Sequence, residues 1–185
     1  MKQHNNLLIV AGAGRNVGKT EFVCRLIHKV SRRQDIYGLK VSALHPDEAI
    51  YHGDHSNQQL NTNLFEETRH DLDKDTSRML RAGARKVFYL QGDDEQIRTG
   101  FHQFQNRIPP SVPIICESTS LWKYIRPGLL VLLKTASLEI KPRAAEIIEH
   151  ASLVIDSDGC SGFAEIDIIA WSELYGWDLH TDITS

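Results

Sequence analysis

Residues 12–20 constrain the fold of this chain more than any other part of its sequence. The segment reads Gly12-Ala13-Gly14-Arg15-Asn16-Val17-Gly18-Lys19-Thr20. It follows an entirely apolar run at residues 7–11, which is typical of a strand buried on both faces of a sheet. After it, apolar residues recur at spacings of one, three and four, which predicts an amphipathic helix: Phe22, Val23, Leu26, Ile27 and Val30. We therefore expect a glycine-rich turn that joins a buried strand to a helix.

That order of elements predicts a phosphate-binding loop, or P-loop. Glycines let successive backbone N–H groups point at phosphate oxygens, and the helix N-terminus adds partial positive charge. In such a loop Lys19 reaches the β- and γ-phosphates, and the Thr20 hydroxyl ligates Mg²⁺. Arg15 is the candidate for an arginine that stabilises charge during hydrolysis. The loop residues expected to contact nucleotide are Gly12, Ala13, Gly14, Asn16, Val17, Gly18, Lys19 and Thr20.

The first glycine of the loop is displaced from its usual place. The common spacing Gly-x4-Gly-Lys-Thr would put glycine at position 13, where this chain has Ala13. The longer form Gly-x5-Gly-Lys-Thr resembles the loop of dethiobiotin synthetases and their relatives. Some members of that group carry an additional lysine early in the loop. Here Gly14 and Arg15 hold those positions, which argues against a dimer mechanism based on that lysine.

Further apolar runs alternate with segments of helical period along the chain. The runs lie at residues 36–41, 87–90, 112–116, 129–133, 153–155 and 166–170, and the helical segments at 74–85, 94–107 and 142–151. Gly83 is placed to end the first of these helices, and Pro142 to begin the last. The pattern predicts a single α/β domain over residues 1–185, with a mostly parallel sheet of about seven strands between two layers of helices.

Residues 45–72 interrupt this alternation. The segment is polar and rich in His, Asn and Asp, which predicts a long surface excursion. Its imidazole and carboxylate groups suit zinc, although their spacing matches no closed zinc motif; they are His45, Asp47, His52, Asp54 and His55. A solvated loop is the other interpretation.

Composition limits the partners of the chain. The net charge is −3, with Lys and Arg scattered, so no basic patch of the kind that binds nucleic acid is visible. No run reaches the roughly 18 apolar residues that a membrane span requires, and the apolar run at residues 7–11 is too short for a signal peptide. The three cysteines lack CxxC spacing. We expect a reduced, cytoplasmic protein.

Three features beyond the loop suggest a family. The second strand delivers Lys40 to the edge of the sheet, the His- and Asp-containing stretch follows, and residues 73–78 read Asp-Lys-Asp-Thr-Ser-Arg before Arg-Ala-Gly-Ala at 81–84. This order, over residues 7–135, resembles the molybdopterin-guanine dinucleotide biosynthesis protein B family.

The resemblance implies a dimeric GTP-binding protein that assists a guanylyltransferase in attaching nucleotide to molybdopterin. By position, Gly14, Gly18, Lys19 and Thr20 would bind phosphates and Mg²⁺, and Lys40 and Asp75 would line the same edge.

A carboxylate follows the fourth predicted strand. Glu117 comes directly after the run 112–116, where a carboxylate can hold Mg²⁺ through water; Ser118 stands where the family has glycine. A salt-bridged strand end is the simpler interpretation of Glu117, as a solvated lysine is of Lys40 and a helix-start charge is of Asp75.

Two arginines share helical spacing with Arg78 and indicate either a solvated helix face or an anion site; they are Arg81 and Arg85. The base is not specified, because a guanine-selective Asn-Lys-x-Asp is absent. The stem of Lys134, after the fifth strand, could lie over a purine.

Three functions are open at this point. The first is a GTP-binding accessory protein of molybdenum cofactor assembly with slow hydrolysis. The second is an ATP-dependent, dethiobiotin-synthetase-like ligase that acts on an amine or carboxylate. The third, least favoured, is a small-molecule kinase, since residues 45–72 carry only Arg69 where a kinase lid has several arginines.

Overall fold

The computed structural model describes residues 2–44, 58–59, 63–135, 142–158 and 163–180. The strands are β1 (Gln3–Gly12), β2 (Tyr37–Ala43), β3 (Gln58–Gln59), β4 (Leu64–Glu67), β5 (Lys86–Gly92), β6 (Ile114–Glu117), β7 (Arg126–Lys134), β8 (Leu153–Asp156), β9 (Ile169–Ser172) and β10 (Gly176–Leu179). The helices are α1 (Lys19–Ser31), α2 (Asp75–Arg81), α3 (Asp94–Gln105) and α4 (Pro142–His150). Short 3₁₀ turns lie at Leu121–Lys123 and Ala164–Ile166.

Among the described residues, eight strands form one sheet in the order β3-β4-β5-β2-β6-β1-β7-β8. β5, β2, β6, β1, β7 and β8 run parallel, whereas β4 is antiparallel to β5. The carboxyl ends of the parallel strands therefore meet at one edge. In register, Glu117 lies between Val10 of β1 and Lys40 of β2.

Two apolar cores cover the two faces of the sheet. Leu8 and Val10 of β1 face α1 and α2 in one core, and Leu7 and Ile9 face α3 and α4 in the other. All four strand residues are fully buried, as expected for a strand covered on both faces. The predicted three-layer α/β fold with a mostly parallel sheet is confirmed.

One predicted strand is shifted along the chain and lies outside the main sheet, and three described strands were not predicted: β3, β4 and β10. Within residues 166–170, Ile166 ends a 3₁₀ turn, and β9 pairs with β10 in a separate hairpin rather than joining the main sheet. β4, which lies between β3 and β5 in the sheet, comes from the polar 45–72 segment, where its four residues were too short to stand out from their surroundings. The candidate zinc ligands of that segment, at positions 45 to 55, lie outside the described residues.

The helix ends follow the chemistry of their sequences. α2 ends at Arg81, and Gly83 takes a left-handed φ of 110° just beyond it, as a helix-terminating glycine should. Asp93 and Gln96 form a capping box at the start of α3. None of the helices in the described part of the chain is long and apolar enough to cross a membrane.

Candidate functional site

The loop between β1 and α1 turns sharply by means of left-handed residues. Asn16 has φ 58° and Gly18 has φ 80°, values that favour Asn and Gly over other residues. Gly18 is the N-cap of α1, and its carbonyl accepts the first helical hydrogen bond from Phe22 N at 2.9 Å. The helix N-terminus therefore opens directly onto the loop.

The displaced glycine has a structural reason. A Cβ at position 12 would lie 2.7 Å from Lys19 Cδ and 2.8 Å from Val17 Cγ2. Ala13, one residue later, still continues the strand, because its N–H donates to Leu133 O at 2.8 Å. Glycine is therefore required at 12, where Lys19 crosses the backbone, and not at 13.

Lys19 folds back over its own loop. Its Nζ donates to the Gly14 carbonyl at 3.2 Å. Burial lowers the pKa of Lys19, and repulsion from Lys40 adds to that effect, while Glu117 and Asp75 partly oppose it. A phosphate oxygen at this position would stabilise the charged ammonium far better than a carbonyl does.

Glu117 joins two elements at the carboxyl edge of the sheet. The residue is 2% exposed, and its Oε2 accepts a hydrogen bond from Thr20 Oγ1 at 2.9 Å. Its Oε1 accepts from Lys40 Nζ at 2.7 Å. The predicted nearness of Thr20 and Glu117 is thus observed, and both carboxylate oxygens have partners, as a buried charge requires.

Lys40 bridges two carboxylates. Its Nζ also donates to Asp75 Oδ2 at 2.5 Å. Burial alone would lower the pKa of Lys40, but attraction to Glu117 and Asp75 outweighs it and raises the pKa. For Asp75 burial acts upward, but Lys40, with help from Thr20 and Arg78, holds the pKa of the carboxyl below its usual value. The salt-bridge interpretation of Glu117 is therefore correct as a description of the structure, whereas the solvated interpretation of Lys40 is wrong, because its side chain is 20% exposed and pairs with two carboxylates.

These groups border an open cavity of about 730 Å³. One wall is the loop with the first turn of α1, and the other comes from β2, α2 and β6. The lining residues are Arg15, Asn16, Val17, Gly18, Lys19, Thr20, Glu21, Lys40, Asp75, Arg78 and Glu117. Val17 borders the cavity but is fully buried.

Four predicted residues do not line this cavity. Gly12, Ala13 and Gly14 form the part of the loop behind Lys19. Lys134 lies at the end of β7, where its ammonium pairs with Asp156 of β8. Its contact with the base stays a prediction.

The three arginines of the 78–85 region separate rather than forming one anion site. Arg78 borders the cavity and donates to Glu21 at 2.9 Å. Arg81 instead donates to the carbonyls of His70 and Leu72, and Arg85 pairs with Asp35. Helical spacing predicts that the three side chains lie near one another, but each of them pairs with a different group.

Glu21 is the site residue that the sequence analysis missed. It accepts from both Arg25, at 2.8 Å, and Arg78, and so fixes Arg78 at the cavity wall. The signal was its position directly after Thr20 and four residues before Arg25, a spacing that favours a helical ion pair.

A magnesium site here would need phosphate oxygens. In the described residues no group of three or more His, Cys, Asp or Glu side chains is placed to hold a metal. The oxygen donors present are the Thr20 hydroxyl and the carboxylates of Glu117 and Asp75. This set fits Mg²⁺, which commonly takes one or two carboxylates together with substrate phosphates.

Comparison with known proteins leaves the chain without a match. No protein-family model, curated protein or solved structure matches it.

Proposed function

We propose that this chain binds a nucleoside triphosphate together with Mg²⁺ in the cavity between the 12–20 loop and α2. The observation that carries the proposal is the convergence of Lys19, Thr20 and Glu117 at the N-terminus of α1. A point charge, a hydroxyl and a carboxylate meet there beside backbone N–H groups that have no partner within the helix. Phosphate binding is the function that uses all four.

Each group has a role in that proposal. Lys19 neutralises the β- and γ-phosphates, and the loop N–H groups hold phosphate oxygens. The Thr20 hydroxyl and Glu117 hold Mg²⁺, directly or through water. Bound Mg²⁺ would neutralise charge on the phosphates. Arg15, on the exposed side of the loop, is the arginine placed to stabilise charge that develops during hydrolysis.

We further propose GTP as the nucleotide, and an accessory role in molybdenum cofactor assembly in the cytoplasm, as a homodimer with a guanylyltransferase as partner. This step rests on the sequence resemblance over residues 7–135. The positions of Lys40 and Asp75 on the cavity wall agree with it. Hydrolysis should be slow, because among the lining residues there is no glutamine to position an attacking water.

Titration calorimetry tests the binding step. GTP, ATP and their non-hydrolysable analogues are titrated into wild type, with Mg²⁺ and with EDTA. Lys19→Ala should abolish binding, since the principal point charge of the loop is lost. Lys86→Ala is the matched control. Lys86 is the first residue of β5 and forms a lysine–carboxylate pair with Glu66. Wild-type affinity in Lys19→Ala would show that the site is wrong.

An ATP-dependent ligase is the second candidate. The observation that favours it is the wall opposite the loop, where Lys40, Asp75 and Arg78 could hold a second substrate. Preference for ATP, with turnover stimulated by a diamine or an amino acid, would support the ligase. Mg²⁺-dependent preference for GTP, with no such stimulation, would support the accessory protein.

A further inference from the structure

We propose that in the nucleotide-free site the Lys40 ammonium takes the place that Mg²⁺ would occupy beside Glu117 and Asp75. The metal must displace this ammonium to bind. The inference rests on the proposed function and concerns the regulation of the same site. Lys40 would thereby set the concentration of metal ion that the site requires for binding.

The contacts of Lys40 are those that a metal ion would take. Its Nζ lies 2.7 Å from Glu117 Oε1 and 2.5 Å from Asp75 Oδ2. The other oxygen of Glu117 is bonded to the Thr20 hydroxyl at 2.9 Å. All three side-chain oxygen donors available to Mg²⁺ are therefore joined in one network around this ammonium.

The metal and the ammonium cannot share these oxygens at low cost. Both are cations, and Glu117 is 97% shielded from water at its side chain, so repulsion between them would be weakly screened. The doubly charged metal compensates two carboxylates better than one ammonium does. The ammonium, on a flexible four-carbon stem, can then move into the cavity that it borders.

The displaced lysine would gain a new partner in the loaded site. Metal binding removes its carboxylate contacts, while the nucleotide brings negative charge into the cavity. Lys40 would thus pass from Glu117 and Asp75 to the phosphates or to an anionic second substrate. Metal and nucleotide would bind cooperatively, because each removes an obstacle to the other.

Binding of Mn²⁺ to the nucleotide-free protein, followed by electron paramagnetic resonance, tests this directly. Wild type should bind weakly. Lys40→Met should bind at least roughly tenfold more tightly, within the usual range of coupling between sites, because its carboxylates are released. Lys40→Arg keeps the charge and should stay near wild type. Lys86→Met, which frees Glu66 from a lysine–carboxylate pair outside the cavity, should also match wild type.

Two additional variants complete the test. Lys40→Gln removes the charge but keeps a donor for Glu117, and it replaces Lys40→Met if circular dichroism shows that the methionine variant is unfolded. Adding Glu117→Gln to either variant should abolish the gain. Mn²⁺ affinity in folded Lys40→Met or Lys40→Gln no higher than in wild type would overturn the proposal, as would a gain that survives Glu117→Gln. No nucleotide is present in this experiment, so its failure can be distinguished from failure of the proposed function, which the nucleotide titration of Lys19→Ala tests.

Discussion

Lys19 lies so close over Gly12 that a methyl group at position 12 would come within 2.7 Å of its Cδ and 2.8 Å of its Nζ. Gly12→Ala should therefore displace the ammonium from the loop, because the flexible Lys19 side chain must move aside, and the contact with the buried Val17 Cγ2 at 2.8 Å should cost some stability as well. Loss of one charge-assisted hydrogen bond costs about 1.5–3 kcal/mol, or roughly a ten- to hundredfold loss of triphosphate affinity. Calorimetry with GTP and ATP measures it.

Ala13→Gly is the control for this prediction. It creates the glycine of the common loop spacing at a position whose backbone already donates to Leu133 O. Nucleotide affinity should remain near that of wild type, with at most about 1 kcal/mol lost in stability from the added backbone freedom. Equal affinity in Gly12→Ala and Ala13→Gly would contradict the explanation of the displaced glycine.

Glu117→Gln separates metal chemistry from nucleotide binding. The amide oxygen can still accept from Lys40, and the amide N–H can donate to the Thr20 hydroxyl, but the side chain loses the charge that holds Mg²⁺ through its water shell. Nucleotide affinity should stay within several-fold of wild type, while any hydrolysis should fall by about ten- to a hundredfold, as when groups that support a metal are altered. Single-turnover phosphate release measures the rate. Unchanged turnover would assign Glu117 a structural role only.

The sequence predicted the parts of the site that local pattern controls. Residues 12–20 joined β1 to α1 as expected, because strand, glycines and helix are encoded within one short segment. Glu117 and Lys40 were placed correctly, since parallel strands bring their carboxyl ends together. Their direct contact was not predictable, because it depends on β2 and β6 being neighbours, an order that no local pattern specifies.

The features that the sequence did not predict also have physical causes. β4 is four residues long and ends in two glutamates, so period alone could not identify it. The pairing of Lys134 with Asp156 was not predicted, because it follows from β8 lying beside β7. Arg81 satisfies backbone carbonyls at 70 and 72, a contact between segments that helical spacing cannot reveal.

His4 should make stability depend on pH. Burial, with repulsion from Lys2 and His102, lowers the pKa of its imidazole, so the folded state disfavours the charged form. The contribution of neutral His4 to the free energy of unfolding is then fully present above the pKa of about 6.5 that its imidazole has in the unfolded chain. It is lost as pH falls through the lower pKa that the imidazole has in the folded protein. Urea unfolding between pH 7.5 and 5 should show a smaller loss in His4→Gln than in wild type. Identical pH dependence in the two proteins would exclude this role.

Lys29 connects α1 to the segment that precedes the β9–β10 hairpin. Its Nζ donates to the carbonyls of Ile166 at 2.7 Å, Ile169 at 3.0 Å and Asp167 at 3.1 Å. Lys29→Met keeps the apolar stem but leaves these acceptors without their donor, so we expect about 1–2 kcal/mol of destabilisation, reduced by partial access to water.

Lys86→Met is again the comparison, because it removes only a half-exposed pair with Glu66 and should cost less than about 1 kcal/mol. Urea unfolding of both variants gives the difference in free energy. Nucleotide affinity should be unchanged in Lys29→Met, since the turn at Ala164–Ile166 lies outside the residues that border the cavity. Equal destabilisation of the two variants would show that the three carbonyl contacts add nothing beyond a surface ion pair.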